Sequence, residues 1–139
     1  MQSDSHEVSI SSKALIHQHG RFLLQHRDNF PHIWHPDHWG LFGGEIESWE
    51  TPAQGLLREL AEELNWQAKD PTYLLPWYPR PQTTIHIFGV DLDVPVANLE
   101  LTEGAGMAMF SLDEMRSLKL TPEISQNFDA FTNHYEDRT

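Results

Sequence analysis

Apolar residues recur along this chain in two rhythms, and the sharper one is helical. From Pro52 to Leu64, Ala53, Leu56, Leu57, Leu60, Ala61 and Leu64 return at three- and four-residue steps and fill one arc of a helix. Glu59, Glu62 and Glu63 fill the opposite arc. Thr51 then Pro52, with Gln54 three residues after the threonine, predicts an N-cap, a proline in the first turn and a capping-box acceptor. Asn65 stands where a helix ends in a left-handed residue, a conformation asparagine tolerates better than most.

Elsewhere the period is two. Val8, Ile10, Ala14 and Ile16 predict a half-buried strand, His17 to Arg21 a turn, and Phe22 to His26 the returning strand of a hairpin. Asp28 to His38 is a long loop whose Phe30, Pro31, Trp34 and Pro36 argue for order rather than slack. Trp39 to Phe42 predicts a short strand feeding Gly43 and Gly44, which permit positive φ or close backbone approach. Pro71 to Pro81 holds four prolines and reads as an edge strand giving way to loop. Thr83 to Val94 is the clearest strand. Its apolar parity changes beside Gly89, which predicts a β-bulge there.

Pro95 to Gly104 reads as loop, Gly106 to Phe110 as a short strand with Met107 and Met109 on one side, and Ser111 to Glu114 as the cap of a short helix. Thr121-Pro122 repeats the threonine–proline start. Ile124, Phe128, Phe131 and Tyr135 then predict one final amphipathic helix. Strands, a helix, then more strands and a helix predict an α/β (α+β) fold. A chain of 139 residues fits one domain over 1–139, with the polar residues 1–7 frayed.

Charge narrows the choice of partners. Nine Lys+Arg against 21 Asp+Glu leave a net charge of −12 with histidine neutral, which argues against nucleic acid and anionic membrane as partners. A small phosphate ester stays compatible if cations neutralise the site. Cysteine is absent, so thiolate zinc sites and disulfides are excluded. No apolar run reaches membrane-spanning length, and residues 1–7 lack the parts of a signal peptide; a cytoplasmic protein is expected.

The acidic arc then becomes the candidate chemistry. The residue four after Glu59 is Glu63, whereas a solvated helix face usually sets a basic residue there. Like-charge pairs of this kind cost roughly 0.2–0.5 kcal/mol each in an isolated helix. Only Arg58 offers a countercharge nearby. Carboxylates left uncompensated fit either a solvated face or a hard divalent cation such as Mg²⁺ or Mn²⁺.

The spacing Gly44, Glu50, Arg58-Glu59-Leu60, Glu62-Glu63, Asn65-Trp66 resembles the signature box of the Nudix hydrolases, with Asn65 in place of the final glycine. The resemblance implies an α/β/α sandwich around a mixed sheet, and Mg²⁺-dependent hydrolysis of a diphosphate bond in a nucleoside diphosphate linked to another moiety. It implies Gly43 (through its carbonyl), Glu59, Glu62 and Glu63 as metal ligands, with Glu59, Glu63 and Arg58 at the catalytic centre. Glu50 and Arg58 take an orienting role or form a plain ion pair. Family resemblance also places a further catalytic glutamate near Glu103, with Glu100 or Glu63 as rivals for general base.

Arg27 is a candidate phosphate clamp or a surface arginine. Trp34, Trp39, Trp77 and Tyr78 are candidates to stack on a base, or core residues. His32, His35 and His38 recur every three residues, but Pro31 and Pro36 interrupt any helical stacking of their rings. Pro81, at the distance past the box that the family associates with ADP-ribose cleavage, leans the substrate toward ADP-ribose or a nucleotide-sugar. An oxidised nucleoside triphosphate is the alternative, and a non-catalytic nucleotide-sensing module is the alternative of another class. Many relatives dimerise, so a homodimer is compatible.

Overall fold

The computed structural model describes residues 8–28, 35–102 and 104–136. Among the described residues seven strands and four α-helices follow one another: β1 (Ser9–Gln18), β2 (Arg21–His26), β3 (Trp39–Gly40), β4 (Phe42–Glu45), α1 (Pro52–Leu64), β5 (Thr72–Arg80), β6 (Thr83–Asp91), β7 (Gly106–Phe110), α2 (Leu112–Met115), α3 (Pro122–Ser125) and α4 (Phe128–Glu136), with a 3-10 turn at Val96–Asn98 before β7. The strands make one mixed sheet. β1 runs parallel to β6 along Ser9 to His17 and antiparallel to β2 and β4. Because β6 occupies one whole edge of β1, β4 (against Ser11 to Ala14) and β2 (against Ile16 to Gln18) must share the other. The sheet therefore splits at that edge, which is where the candidate site lies.

Both faces of the sheet are covered, giving the α/β/α sandwich expected. Ala14, Ile16, Phe88 and Val90 pack with Leu56, Leu60 and Leu64 of α1. Leu15, Leu24 and Ile87 point the other way, onto Met115, Ile124 and Phe131.

α1 forms where its sequence places it. Thr51 Oγ1 accepts the Gln54 amide at 3.1 Å, and Gln54 Oε1 accepts the Thr51 amide at 2.9 Å. Asn65 closes the helix in the left-handed region at φ 53°, its amide donating to Ala61. Gly55 is inside the helix for a packing reason: a Cβ there would come within 2.3 Å of Ile46 Cγ2.

Four expectations are corrected. The hairpin turn is confined to His19 and Gly20, both with positive φ, because β1 continues through Gln18. Residues 72–80 are strand throughout. Among the described strands β5 pairs only with β6, so its prolines sit on a free edge; Pro76 stays in register with His86, and Pro79 falls within a register shift between Trp77 and Arg80. The irregularity expected beside Gly89 lies on β5 rather than β6: β6 keeps an unbroken register against β1, while the pairs Tyr73–Phe88 and Leu75–Ile87 skip Leu74. The parity of β6 changes because β6 is buried on both faces, Ile87 toward α3 and α4 and Phe88 toward α1. Gly89 makes room for Tyr135, whose Oη would lie 2.3 Å from a Cβ.

The final helix is two helices. Asn127 Nδ2 donates to the Glu123 carbonyl at 2.9 Å, and its amide turns to Ile124. A side chain thus takes the acceptor that an uninterrupted helix would give to the backbone. Ile124, Phe128, Phe131 and Tyr135 still share one core.

Candidate active site

Arg58 is the hub of the acidic flank. Its Nε donates to Glu50 Oε2 at 2.6 Å and Nη2 to Glu50 Oε1 at 3.0 Å, a two-pronged pair. Nη1 reaches Glu59 Oε2 at 3.0 Å and both Glu62 oxygens at 3.4 Å, and Nη2 meets the Glu45 carbonyl. The guanidinium, helped by the Glu47 amide, holds the Glu50 carboxyl below its usual range. Glu50 in turn raises Arg58 further above its ordinary value. Glu59 and Glu62 thus have a basic partner that the sequence alone sets only beside them, yet three carboxylates surround one cation.

Glu63, the remaining carboxylate of the arc, faces the sheet. Its Oε1 accepts the Gly43 amide at 3.0 Å. The glycine pair makes this approach possible. Gly43 lies at φ 135°, and a Cβ there would fall 2.1 Å from the Ser12 carbonyl of β1; a Cβ on Gly44 would fall 2.7 Å from Glu59 Oε1. Helix and strand are therefore pressed together along Gly43, Gly44, Glu59 and Glu63. Behind them, residues 100–102 close the end of α1: the Glu100 amide donates to Leu64, the Thr102 amide to Glu63, and Thr102 Oγ1 to Glu62 and Glu63.

This oxygen-rich donor set suits Mg²⁺ or Mn²⁺. Among the described residues no three histidine, aspartate or glutamate side chains converge as a ready-made cage.

Two cavities open around this flank. A cleft of about 290 Å³ is lined by Lys13, Gln25, Arg27, Asp28, Gly43, Glu63 and Gly104. On the sheet face opposite α1, a larger cavity of about 730 Å³ has walls that include Trp77, Tyr78, Arg80, His35, Glu123 and Gln126. Lys13 and Arg27 line both. Glu123 is buried at 9 % exposure, its Oε2 accepting from Thr121 Oγ1 at 2.7 Å and from the Leu41 amide at 3.2 Å.

The structure brings Glu50, Arg58, Glu59, Glu62, Glu63 and Gly43 together, with Arg27 across the cleft. Trp39 is placed elsewhere: it stacks on His26 at 4.5 Å, abuts Phe110 edge-on and packs with the second core, so Trp77 and Tyr78 are the aromatics of the cavity. Glu103, Trp34 and His32 lie outside the described residues. His35 and His38 rings stand 5.7 Å apart, and His38 Nδ1 bonds the Pro36 carbonyl. Lys13 and Glu123 carried no sequence signal. One is a lone polar residue in a strand, and the other looks like an ordinary first-turn helix acid.

Among curated proteins none matches the chain. Solved structures share its fold at low identity. A MutT NUDIX hydrolase from Burkholderia pseudomallei is 20% identical with a TM-score of 0.74, over 89% of this chain and 98% of that one. The E. coli ORF135 protein is 24% identical with a TM-score of 0.73, over 96% and 94%. A MutT protein from Methanosarcina mazei is 23% identical with a TM-score of 0.70, over 92% and 95%. No described helix is long and apolar enough to cross a membrane. The NUDIX domain family model matches residues 8–131, and on that match the chain belongs to the Nudix family and is a hydrolase of the pyrophosphohydrolase type acting on nucleotide derivatives.

Proposed function

We propose that the protein hydrolyses, with Mg²⁺, a diphosphate bond in a nucleoside diphosphate joined to a second group, ADP-ribose or a nucleotide-sugar before others. The observation that carries this reading is the placement of Glu59 and Glu63 against the Gly43–Gly44 strand, with Glu62 held beside them by Arg58 and Glu63 on the wall of a cleft that two cations share with a larger aromatic-walled cavity. Glu59, Glu62, Glu63 and the Gly43 carbonyl would hold the metal. When bound, Mg²⁺ offsets phosphate charge and makes water a better nucleophile.

The chain's own residues do the rest. Arg58, anchored by Glu50, fixes the rotamers of Glu59 and Glu62 so that little ordering is left for substrate to impose. Arg27 offers a planar guanidinium to a phosphate in the cleft. Trp77 and Tyr78 offer π-faces to a base or sugar in the larger cavity. Glu63, drawn to the Gly43 amide, stands against the cleft as a carboxylate able to take a proton from attacking water, a role it shares as candidate with Glu103.

A panel of ADP-ribose, nucleotide-sugars and oxidised nucleoside triphosphates, incubated with Mg²⁺ or Mn²⁺ and read by product mass, tests this. Two monophosphate products are expected. Release of pyrophosphate from a triphosphate would transfer the assignment to oxidised nucleotides. Absence of any cleavage would favour a sensing module, against which the retained box carboxylates argue.

A further inference from the structure

Lys13 lines the cleft from outside the box and has no role in the reading above. Along β1 the odd-numbered side chains face away from α1: Leu15 packs in the second core, while Ser9, Ser11 and Lys13 continue the same row into the large cavity. Lys13 also lines the smaller cleft with Gly43 and Glu63. It can reach both because it lies, in register with Gly43, where the edge of β1 is handed from β4 to β2.

Its pairing is unusual for this chain. Arg21, Arg58, Lys69, Arg116 and Lys119 each hold a carboxylate within 4 Å. Among the described residues Lys13 has no ion-pair partner, in a protein with 21 acidic side chains and with Glu63 on the same cleft wall. A half-buried lysine with no carboxylate partner among the described residues has a charge to give to an anion. That anion must reach two compartments at once, one walled by aromatics and one by the box.

We propose that Lys13 seats the bridging diphosphate of the substrate, fixing the scissile phosphates over the box carboxylates while the organic half occupies the larger cavity. This positioning role rests on the hydrolase reading above. The natural occupant is thus a molecule whose phosphates lie in its middle, with a nucleoside on one side.

Calorimetry with α,β-methylene ADP and Mg²⁺ tests the assignment on the full chain, comparing wild type with Lys13→Met and Lys13→Arg. A lost charge-assisted contact raises Kd roughly ten- to hundredfold in Lys13→Met. Lys13→Arg is expected to regain most of the affinity. Mn²⁺ binding by the carboxylates is expected to match wild type in both, and on a cleaved substrate KM is expected to move more than kcat. A Kd for Lys13→Met within twofold of wild type, no analogue binding by wild type, or an equal loss of Mn²⁺ binding would overturn the proposal. Wild type that binds the analogue but cleaves nothing sinks the hydrolase reading alone, because binding still decides the role of Lys13.

Discussion

Thr51-Pro52 and Thr121-Pro122 are the same dipeptide at the start of a helix, but their hydroxyls act differently. Thr51 Oγ1 accepts the amide of its own helix and completes a capping box. Thr121 makes no side-chain cap; its hydroxyl donates to Glu123 Oε2 and to the Trp39 carbonyl, 82 residues away. One threonine obeys rules that act within four residues. The other is recruited to join the cavity wall to the sheet. α1 is accordingly a continuous helix that presents carboxylates. α3 and α4 are short pieces, and Glu123 of α3, with Gln126 just after it, serves the wall of a cavity.

The largest effect expected from this contrast is on turnover. Glu62→Gln and Glu63→Gln should each lower kcat at least about a hundredfold, roughly 2.7 kcal/mol on the barrier, with an unchanged melting temperature. Unfolding of either variant would show that the acidic flank also serves the scaffold and would break the contrast.

The two threonines sharpen it next. Thr121→Ala removes a donor from a buried carboxylate and should cost about 2 kcal/mol in urea unfolding. Thr51→Ala removes a solvent-facing cap and should cost about 1 kcal/mol. Equal costs would mean that Glu123 finds another donor.

The smallest effect is in acid. The Glu50 carboxyl is held below its ordinary value of 4.5, first by Arg58 and then by the Glu47 amide. Its contribution to stability is therefore complete above about pH 4.5 and is lost as pH falls through the lowered folded value. Carboxyl NMR should show the Glu50 titration moving upward in Arg58→Met; an unmoved titration would mean that the pair is cosmetic.

What the sequence disclosed follows the same division. The bounds of α1, both caps and the grouping of Glu59, Glu62 and Glu63 were legible because period, capping and box spacing are local. So were β7 and the cap of α2, where Ser111 and Glu114 repeat the capping box. The reason for Gly89 was hidden because Tyr135 supplies it from another element. Asn127 broke the last helix through a side-chain bond that periodicity cannot register. Lys13 and Glu123 gain meaning only from cavities that the sheet and α3 enclose together.

The bonds from residues 100–102 to the backbone of Glu62, Glu63 and Leu64 have one more consequence. Residues 100–102 form a strap that takes its bearings from the C-terminal end of the helix, and by Ala105 the chain is already bonded to β2 through the His26 carbonyl. Should that end tilt as a ligand enters, the strap travels with it.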